Sequence, residues 1–159
     1  KIYGEVAGYG NTTDAFHQTI PSSEGESRAM QMAIDDAGLK IEDIDYINAH
    51  ATSTPLGDKV ETEAIKLFFG KRAYQIPVSS IKSMTGHMLA ASGSLEVALT
   101  LMSMEEELIP PTINLKVKDS ECDLDYVTDL RKVKINIAIS NSFGFGGVNA
   151  VLILKKPIF

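Results

Sequence analysis

The sequence has only one cysteine and fewer basic than acidic residues, and these two shortages exclude disulfide-rich proteins and argue against proteins that bind polyanions. A single cysteine cannot form an intramolecular disulfide, which is typical of a reducing compartment. Acidic residues surround Cys122 in the stretch DSECDLD and disfavour a thiolate, so we expect a structural or surface cysteine. The net charge of −6 argues against binding to nucleic acid or to an anionic membrane surface.

Long hydrophobic runs are also absent, since no apolar stretch approaches the roughly 20 residues that span a bilayer. We therefore expect no membrane-spanning segment. The first ten residues, KIYGEVAGYG, have neither an initiator Met nor the charged and apolar regions of a signal peptide. We expect a single domain over residues 1–159 that begins inside a longer protein.

Strand-like and helix-like patterns alternate along the chain and predict an α/β fold. Strands are predicted at 1–10, 44–51, 75–81, 135–141 and 148–155, and helices at 24–38, 58–69 and 86–104. Residues 11–23 are expected to form a loop, and 123–129 a hairpin or edge segment. Residues 86–104 are apolar almost all round, which predicts a helix buried on every side. Because the last two strands form a hairpin, the prediction is a three-layer α/β/α arrangement with a mixed five-stranded sheet and a buried central helix.

The first stretch that could carry chemistry is INAHATSTPLGDKVE, where His50 follows an apolar strand and precedes several hydroxyl residues. An imidazole at the end of a strand can act as a general base or donate a hydrogen bond to a carbonyl oxygen. The structural alternative is a capped strand end, with Thr54 or Asp58 as the N-cap of the next helix. The spacing alone leaves both interpretations open.

The second stretch is SSIKSMTGHMLAASGSLE, in which Lys82 and His87 flank a turn. At the start of a buried helix, His87 would stay neutral and donate through one ring nitrogen. A buried lysine needs a carboxylate partner, and Glu96 is the nearest candidate in sequence. The alternative is a solvated turn lysine and a helix-capping histidine.

The third stretch is the glycine-rich NSFGFGGVN, whose backbone can approach a ligand closely. It lacks the GxxxxGK[ST] pattern of a phosphate loop, but one of its backbone N–H groups could serve an oxyanion hole. Phe143 and Phe145 are equally compatible with an ordinary core. No metal site is expected, because no pair among His17, His50 and His87 has metal-ligand spacing.

Together, NAHATSTPLGDKVE, SSIKSMTGH and NSFGFGGVNAVL resemble the C-terminal half of elongating, type II β-ketoacyl-[acyl-carrier-protein] synthases. The motifs occur in the family's order and near its spacing, from about Lys1 to the end. HATST stands where the family has HGTxT, GGVN replaces the commoner GGTN, and AASG replaces GAAG. Ala51 in place of glycine asks for a φ angle that alanine tolerates. The resemblance implies the thiolase-like fold of two similar α/β halves, of which this chain would be the second.

The resemblance also implies a reaction, the decarboxylating Claisen condensation of fatty-acid elongation. The carbanion that malonyl-acyl-carrier protein forms on losing carbon dioxide attacks an acyl group held on a cysteine thiol. His50 and His87 match the family's two active-site histidines, which would donate hydrogen bonds to the malonyl thioester carbonyl. Lys82 matches the lysine that organises the site, supported by Glu96.

Other residues carried over from the resemblance would contact substrate. Thr52 and Thr54 align with hydroxyls of the pantetheine tunnel, and Phe145 aligns with the phenylalanine that gates the acyl pocket. The full set expected to bind substrate is Thr52, Thr54, Phe143, Phe145, Gly146 and Gly147.

The family's nucleophilic cysteine lies in the N-terminal half, and Cys122 matches it in neither context nor position. We therefore expect a fragment, or one half of a split synthase, that is inactive alone. Expected partners are acyl-carrier protein, the N-terminal half and, for the full enzyme, a second copy in a homodimer. No cofactor is expected, because the substrates are carried on phosphopantetheine. The expected compartment is the cytoplasm, or an organelle if a targeting segment lies upstream.

Two other functions share these motifs. A polyketide ketosynthase domain performs the same chemistry on other chains. A non-catalytic partner subunit that sets chain length lacks the cysteine, but such partners commonly lose the histidines that this chain keeps. A pure interaction module is the remaining alternative.

Overall fold

The computed structural model describes residues 1–157, and its centre is a five-stranded mixed sheet with helices on both faces. The strands are β1 (Glu5–Thr13), β2 (Tyr46–Asn48), β3 (Val78–Ser79), β4 (Leu108–Ile109), β5 (Arg131–Lys132), β6 (Ile137–Gly144) and β7 (Val148–Lys155). The α-helices are α1 (Ser23–Asp36), α2 (Gly57–Phe69), α3 (Lys82–Thr85) and α4 (Ser92–Glu106), with short 3₁₀ turns between some of them.

The strand order across the sheet is β1-β7-β6-β2-β3, and β4 and β5 form a separate two-stranded ribbon. β2 runs parallel to both β3 and β6, whereas β7 runs antiparallel to β1 and β6. The predicted mixed five-stranded sheet is therefore confirmed. The carboxyl ends of β2 and β3 lie side by side, which places the segments that follow them at one edge of the sheet.

Neighbouring residues on each strand point to opposite faces and build two hydrophobic cores. Ile139 and Ile153 belong to the core under α1 and α2, while Ala138 and Leu154 belong to the core under α4. This alternation gives the three layers that the sequence predicts.

Helix α1 lies unusually close to β1 because that strand presents glycine. A Cβ atom at Gly8 would overlap with the carbonyl oxygen of Ala33, and one at Gly10 would overlap with that of Ala29. This close approach brings the middle of α1 down onto the sheet.

The strands differ in length from the predicted ones. β1 continues to Thr13, because residues 11–13 pair with residues 148–150 of β7, so the predicted loop 11–23 begins later. β2 and β3 are shorter than predicted, since the chain leaves the sheet at the residues that build the site. Within 123–129, only an isolated bridge forms, between Tyr126 and Val78.

The predicted helix 86–104 is also corrected. It begins at Ser92, after α3 and a 3₁₀ turn at Leu89–Ala91, and it is not buried on every side. Its buried residues are mainly polar, Ser92, Glu96, Thr100, Ser103 and Met104, while Met102 is 55% exposed. A pattern that is apolar all round gives no information on which face the chain's own sheet covers. Here the inward side combines the buried polar stripe with Val97, Leu101 and Met104, which pack in the core under α4.

Among residues 1–157, none of the helices combines the length and the apolar character that a membrane crossing requires.

Candidate active site

The turn after β2 is organised by a carboxylate from α2. Glu61 accepts hydrogen bonds from the His50 N–H (2.9 Å) and the Ala51 N–H (2.8 Å), and Asn141 of β6 donates a third bond (3.0 Å). Glu61 is buried, and it fixes where His50 leaves the strand. Glu61 is not among the site residues predicted from the sequence, although a glutamate between the apolar Val60 and Ala64 on the inner face of a helix is a signal of this kind.

The N-cap that the structural alternative predicts is wrong, because α2 begins at Gly57 after Leu56, which makes no side-chain cap. Thr54 and Asp58 do, however, bond to backbone N–H groups of this turn. Thr54 Oγ1 accepts from the Gly57 N–H (3.1 Å), and Asp58 accepts from the Ser53 N–H (3.0 Å). These bonds account for Thr54 and Asp58 but not for the imidazole. Ala51 has a φ of +20°, at the border of the region that favours glycine, so this backbone suits alanine less well than the sequence analysis expects.

The ring of His50 is half-buried beside the two other predicted stretches. Its centroid lies 5.5 Å from that of His87, with the planes nearly perpendicular, and 6.1 Å from that of Phe143. Burial lowers the pKa of His50 to about 3, with smaller contributions from the charges of Lys82 and His87. His50 is therefore a neutral imidazole at physiological pH.

His87 is exposed and lies in the turn between α3 and α4, five residues before α4, so the predicted position at a buried helix start is wrong. Its Nδ1 receives the Leu89 N–H (3.2 Å) and lies 2.9 Å from Ser92 Oγ. Because Ser92 Oγ already accepts the Met88 N–H (2.8 Å), its hydroxyl proton is free to donate to Nδ1. The ring proton is thereby left on Nε2, which makes His87 a donor.

Lys82 and Glu96 form the buried ion pair that the sequence predicts. Their side chains are 5% and 2% exposed, and Lys82 Nζ lies 2.5 Å from Glu96 Oε1. Burial raises the pKa of the Glu96 carboxyl, and the Lys82 ammonium offsets part of that rise. The pair joins α3 to α4, and it is close enough to the two imidazoles for Lys82 to act on the pKa of His50.

The glycine-rich segment forms the turn between β6 and β7. Gly146 and Gly147 have φ values of +77° and +73°, and a Cβ at Gly147 would overlap with Asp14 Oδ1. The Gly146 N–H donates to the Gln18 carbonyl (2.9 Å), so this N–H does not serve an oxyanion hole here. Phe143 is buried against His50, whereas Phe145 is 82% exposed.

A cavity of about 680 Å³ opens beside these groups. Its wall includes four predicted site residues, Thr52, Thr54, Lys82 and His87, together with Glu61. Of the other predicted site residues, His50, Glu96, the glycine-rich turn and the two phenylalanines are not part of that wall.

Chain 112–119 forms the opposite side of the cavity, with Cys122 and Tyr126. This irregular segment is held to α2 by ion pairs of Lys59 with Asp119 and Glu121, and of Lys66 with Asp123. The sequence analysis did not predict its role, because long-range ion pairs leave no periodic signal.

Within residues 1–157, no group of three or more His, Cys, Asp or Glu side chains is arranged to hold a metal ion. His17 lies in the segment after β1, where its Nδ1 accepts from the Thr19 and Ile20 N–H groups.

Comparison with known proteins identifies a matching family model, that of the beta-ketoacyl synthase C-terminal domain, over residues 3–116. Curated relatives include 3-oxoacyl-[acyl-carrier-protein] synthase 2 of Synechocystis, 54% identical, and that of Staphylococcus aureus, 52% identical. Both alignments cover 98% of this chain and 38% of the relative. The chain thus spans well under half the length of these relatives.

Solved structures match equally completely. One is a type II PKS acyl-carrier protein in complex with its ketosynthase, with a TM-score of 0.95 and 37% identity over 99% of this chain and 40% of that one. Another is a beta-ketoacyl synthase from Burkholderia phymatum, with a TM-score of 0.94 and 40% identity over 99% of this chain and 38% of that one.

Proposed function

The chain belongs to the β-ketoacyl synthase family as its C-terminal domain, and from this membership we propose that it supplies the decarboxylation half of a fatty-acid-elongating active site. The observation that carries the proposal is the pair of imidazoles 5.5 Å apart, one neutral and one with its proton on Nε2, together with the buried Lys82–Glu96 pair whose lysine acts on His50. We propose His50, His87 and Lys82 as its catalytic residues.

In this reaction the malonyl thioester loses carbon dioxide. The electron pair of the broken carbon–carbon bond moves onto the thioester as an enolate, whose oxygen receives hydrogen bonds from His50 and His87. The enolate carbon then attacks the acyl thioester carbonyl, a carbon–carbon bond forms, and the enzyme's cysteine leaves as thiolate. The product is a β-ketoacyl thioester two carbons longer.

A neutral His50 suits this chemistry better than a charged one. A cationic imidazole would attract the malonyl carboxylate in the ground state and oppose its departure as carbon dioxide. A neutral donor interacts most strongly where charge develops, on the enolate oxygen. In our proposal Lys82, held by Glu96, keeps a positive charge behind the two rings without contacting the carboxylate.

The cavity is our candidate for the pantetheine tunnel. Its volume lies within the range typical of small-molecule sites, and Thr52 and Thr54 present hydroxyls along it. We assign the turn at Phe145–Gly147, with Phe143, to the acyl pocket. Phosphopantetheine of acyl-carrier protein would carry both substrates, with no further cofactor.

The exposed apolar face of α4 supports a further partner, the N-terminal half of the synthase, which would supply the cysteine. Met102 and the half-exposed Leu95 and Leu99 lie on this face. Residues 1–159 would then be one domain of a longer enzyme, which we propose to be a homodimer in the cytoplasm.

A polyketide ketosynthase is the second candidate, because polyketide complexes are among the matching structures. The higher identity to curated 3-oxoacyl-[acyl-carrier-protein] synthases favours fatty-acid elongation. Non-catalytic chain-length partners commonly lose the active-site histidines, so the presence of His50, His87 and Lys82 argues against that function.

The test is to join the chain to the N-terminal part of the Synechocystis relative and to measure carbon dioxide release and condensation from malonyl-acyl-carrier protein. We expect the joined enzyme to condense and the 159-residue chain alone not to. His87→Ala should slow decarboxylation about 100-fold, while the neighbouring, exposed Met88→Ala should change it little. Condensation by the chain alone, or an unaffected His87→Ala enzyme, would contradict the proposal.

A further inference from the structure

Glu26, in the first turn of α1, is a buried carboxyl group to which the proposed reaction gives no task. Its side chain is 1% exposed, and its Oε2 is buried without a hydrogen-bond partner in the part of the chain that the structure describes. A carboxylate in such a position would lose its hydration without compensation.

The charged groups that face Glu26 are both acidic. Asp14, in the segment after β1, lies against Gly25, the residue before Glu26. Glu61 approaches from α2, and the charges of both carboxylates act on Glu26.

The other neighbouring elements do not neutralise this cluster. β6 and β7 place the amides of Asn141 and Asn149 against Glu61 and Asp14 respectively. Lys82 acts on Glu61 rather than on Glu26. On α1 itself, Glu24 and Arg28 are exposed.

These surroundings favour a proton on Glu26. Burial, reinforced by Glu61 and Asp14, raises the pKa of Glu26 to about 9. Burial also raises the pKa of Glu61, but two backbone N–H groups, Asn141 and Lys82 oppose that rise. Of the two, Glu61 is the better-stabilised anion.

We propose that Glu26 is a neutral carboxylic acid that positions the His50 turn, because its proton lets the single buried charge reside on Glu61, which holds the His50 and Ala51 amides. Ionisation of Glu26 would place a second negative charge near Glu61 and weaken the hydrogen bonds that Glu61 accepts from the His50 and Ala51 N–H groups. This inference concerns the geometry of this chain alone and does not depend on the condensation reaction.

The first test is to follow the His50 and Ala51 amide resonances of the ¹⁵N-labelled chain from pH 6.5 to 10. Both should titrate together with a midpoint near pH 9. In Glu26→Gln, a neutral variant of the same shape, this titration should vanish. In Glu24→Gln, a matched exposed change in the same helical turn, it should persist. Amides that do not titrate, or that titrate unchanged in Glu26→Gln, would overturn the inference.

The second test measures urea unfolding at pH 6 and pH 8. A carboxyl whose pKa is higher in the folded than in the unfolded chain loses stability as pH rises between the two values. The unfolding constant of the wild type should therefore increase about tenfold per pH unit relative to Glu26→Gln, and parallel pH profiles would refute the proton on Glu26. If Glu26→Gln fails to fold, the test is the infrared spectrum of the wild type at pH 7. The carbonyl band of a buried neutral carboxylic acid should be present, and its absence would refute the proton on Glu26.

Discussion

Replacing Lys82 by methionine should unfold the chain far more readily than replacing an exposed lysine. Lys82 is 5% exposed and contacts Glu96, which is 2% exposed, so the substitution leaves a buried carboxylate without its partner. Removing one member of such a pair costs about 3–5 kcal/mol. The matched control is Lys156→Met, which removes a half-exposed partner of Glu107 and should cost at most about 1 kcal/mol.

The effect should also depend on pH. Without Lys82, the pKa of Glu96 rises further above its ordinary value, so the folded variant holds a proton that the unfolded chain releases. The free energy of unfolding of Lys82→Met should then fall by up to about 1.4 kcal/mol per pH unit more than that of wild type, at pH values between the pKa of Glu96 in folded wild type and its higher pKa in the variant. Urea unfolding at pH 5, 6 and 7 measures this slope.

A double variant separates stability from chemistry. Lys82→Met with Glu96→Leu replaces both charges by apolar groups, and such replacements are often neutral or stabilising. We expect the free energy of unfolding to return to within about 1 kcal/mol of wild type. In the enzyme completed with an N-terminal half, however, decarboxylation should stay impaired. A double variant that regains both stability and activity would refute a catalytic role for Lys82, and an unperturbed single variant would refute the buried pair.

Three further outcomes follow from individual contacts. Gly147→Ala should lower the free energy of unfolding in urea by more than about 2 kcal/mol, because the new Cβ would overlap with a carboxylate and the backbone has a φ of +73°. The control Gly144→Ala should lower it by less than half as much, because the nearest atom lies 3.4 Å from the new Cβ and the backbone is extended. Equal losses of stability would contradict this prediction. Ser92→Ala should slow the completed enzyme about tenfold by weakening the tautomer control of the neighbouring imidazole, and the exposed Ser94→Ala should not, so equal rates would exclude that role. Peptide mass spectrometry should find no acyl group on Cys122 after incubation with acyl-acyl-carrier protein, and acylation there would overturn the view that the nucleophile lies elsewhere.

The partner of a buried side chain can be predicted from the sequence when only a few residue types could pair with it. A buried lysine requires a carboxylate, and Glu96 is the candidate that lies on the adjoining helix, so the Lys82–Glu96 pair could be predicted. Glu61 could not be assigned as readily, because its partners are two backbone amides and Asn141, 80 residues away. Backbone donors carry no side-chain signature, so nothing in the sequence marks the turn that needs them.

The composition of helix α4 predicts correctly that a helix forms but wrongly that it is buried on every side. Its polar stripe of Ser92, Glu96, Thr100 and Ser103 recurs at helical spacing and faces the chain's own sheet. The first two positions of that stripe orient His87 and pair with Lys82, so the start of the inward face serves the site, while Val97, Leu101 and Met104 pack in the second core. Met102 and the half-exposed Leu95 and Leu99 lie on the outer side, where water disfavours a contiguous apolar surface. This outer side of α4 is the apolar surface that, in our proposal, the N-terminal half covers.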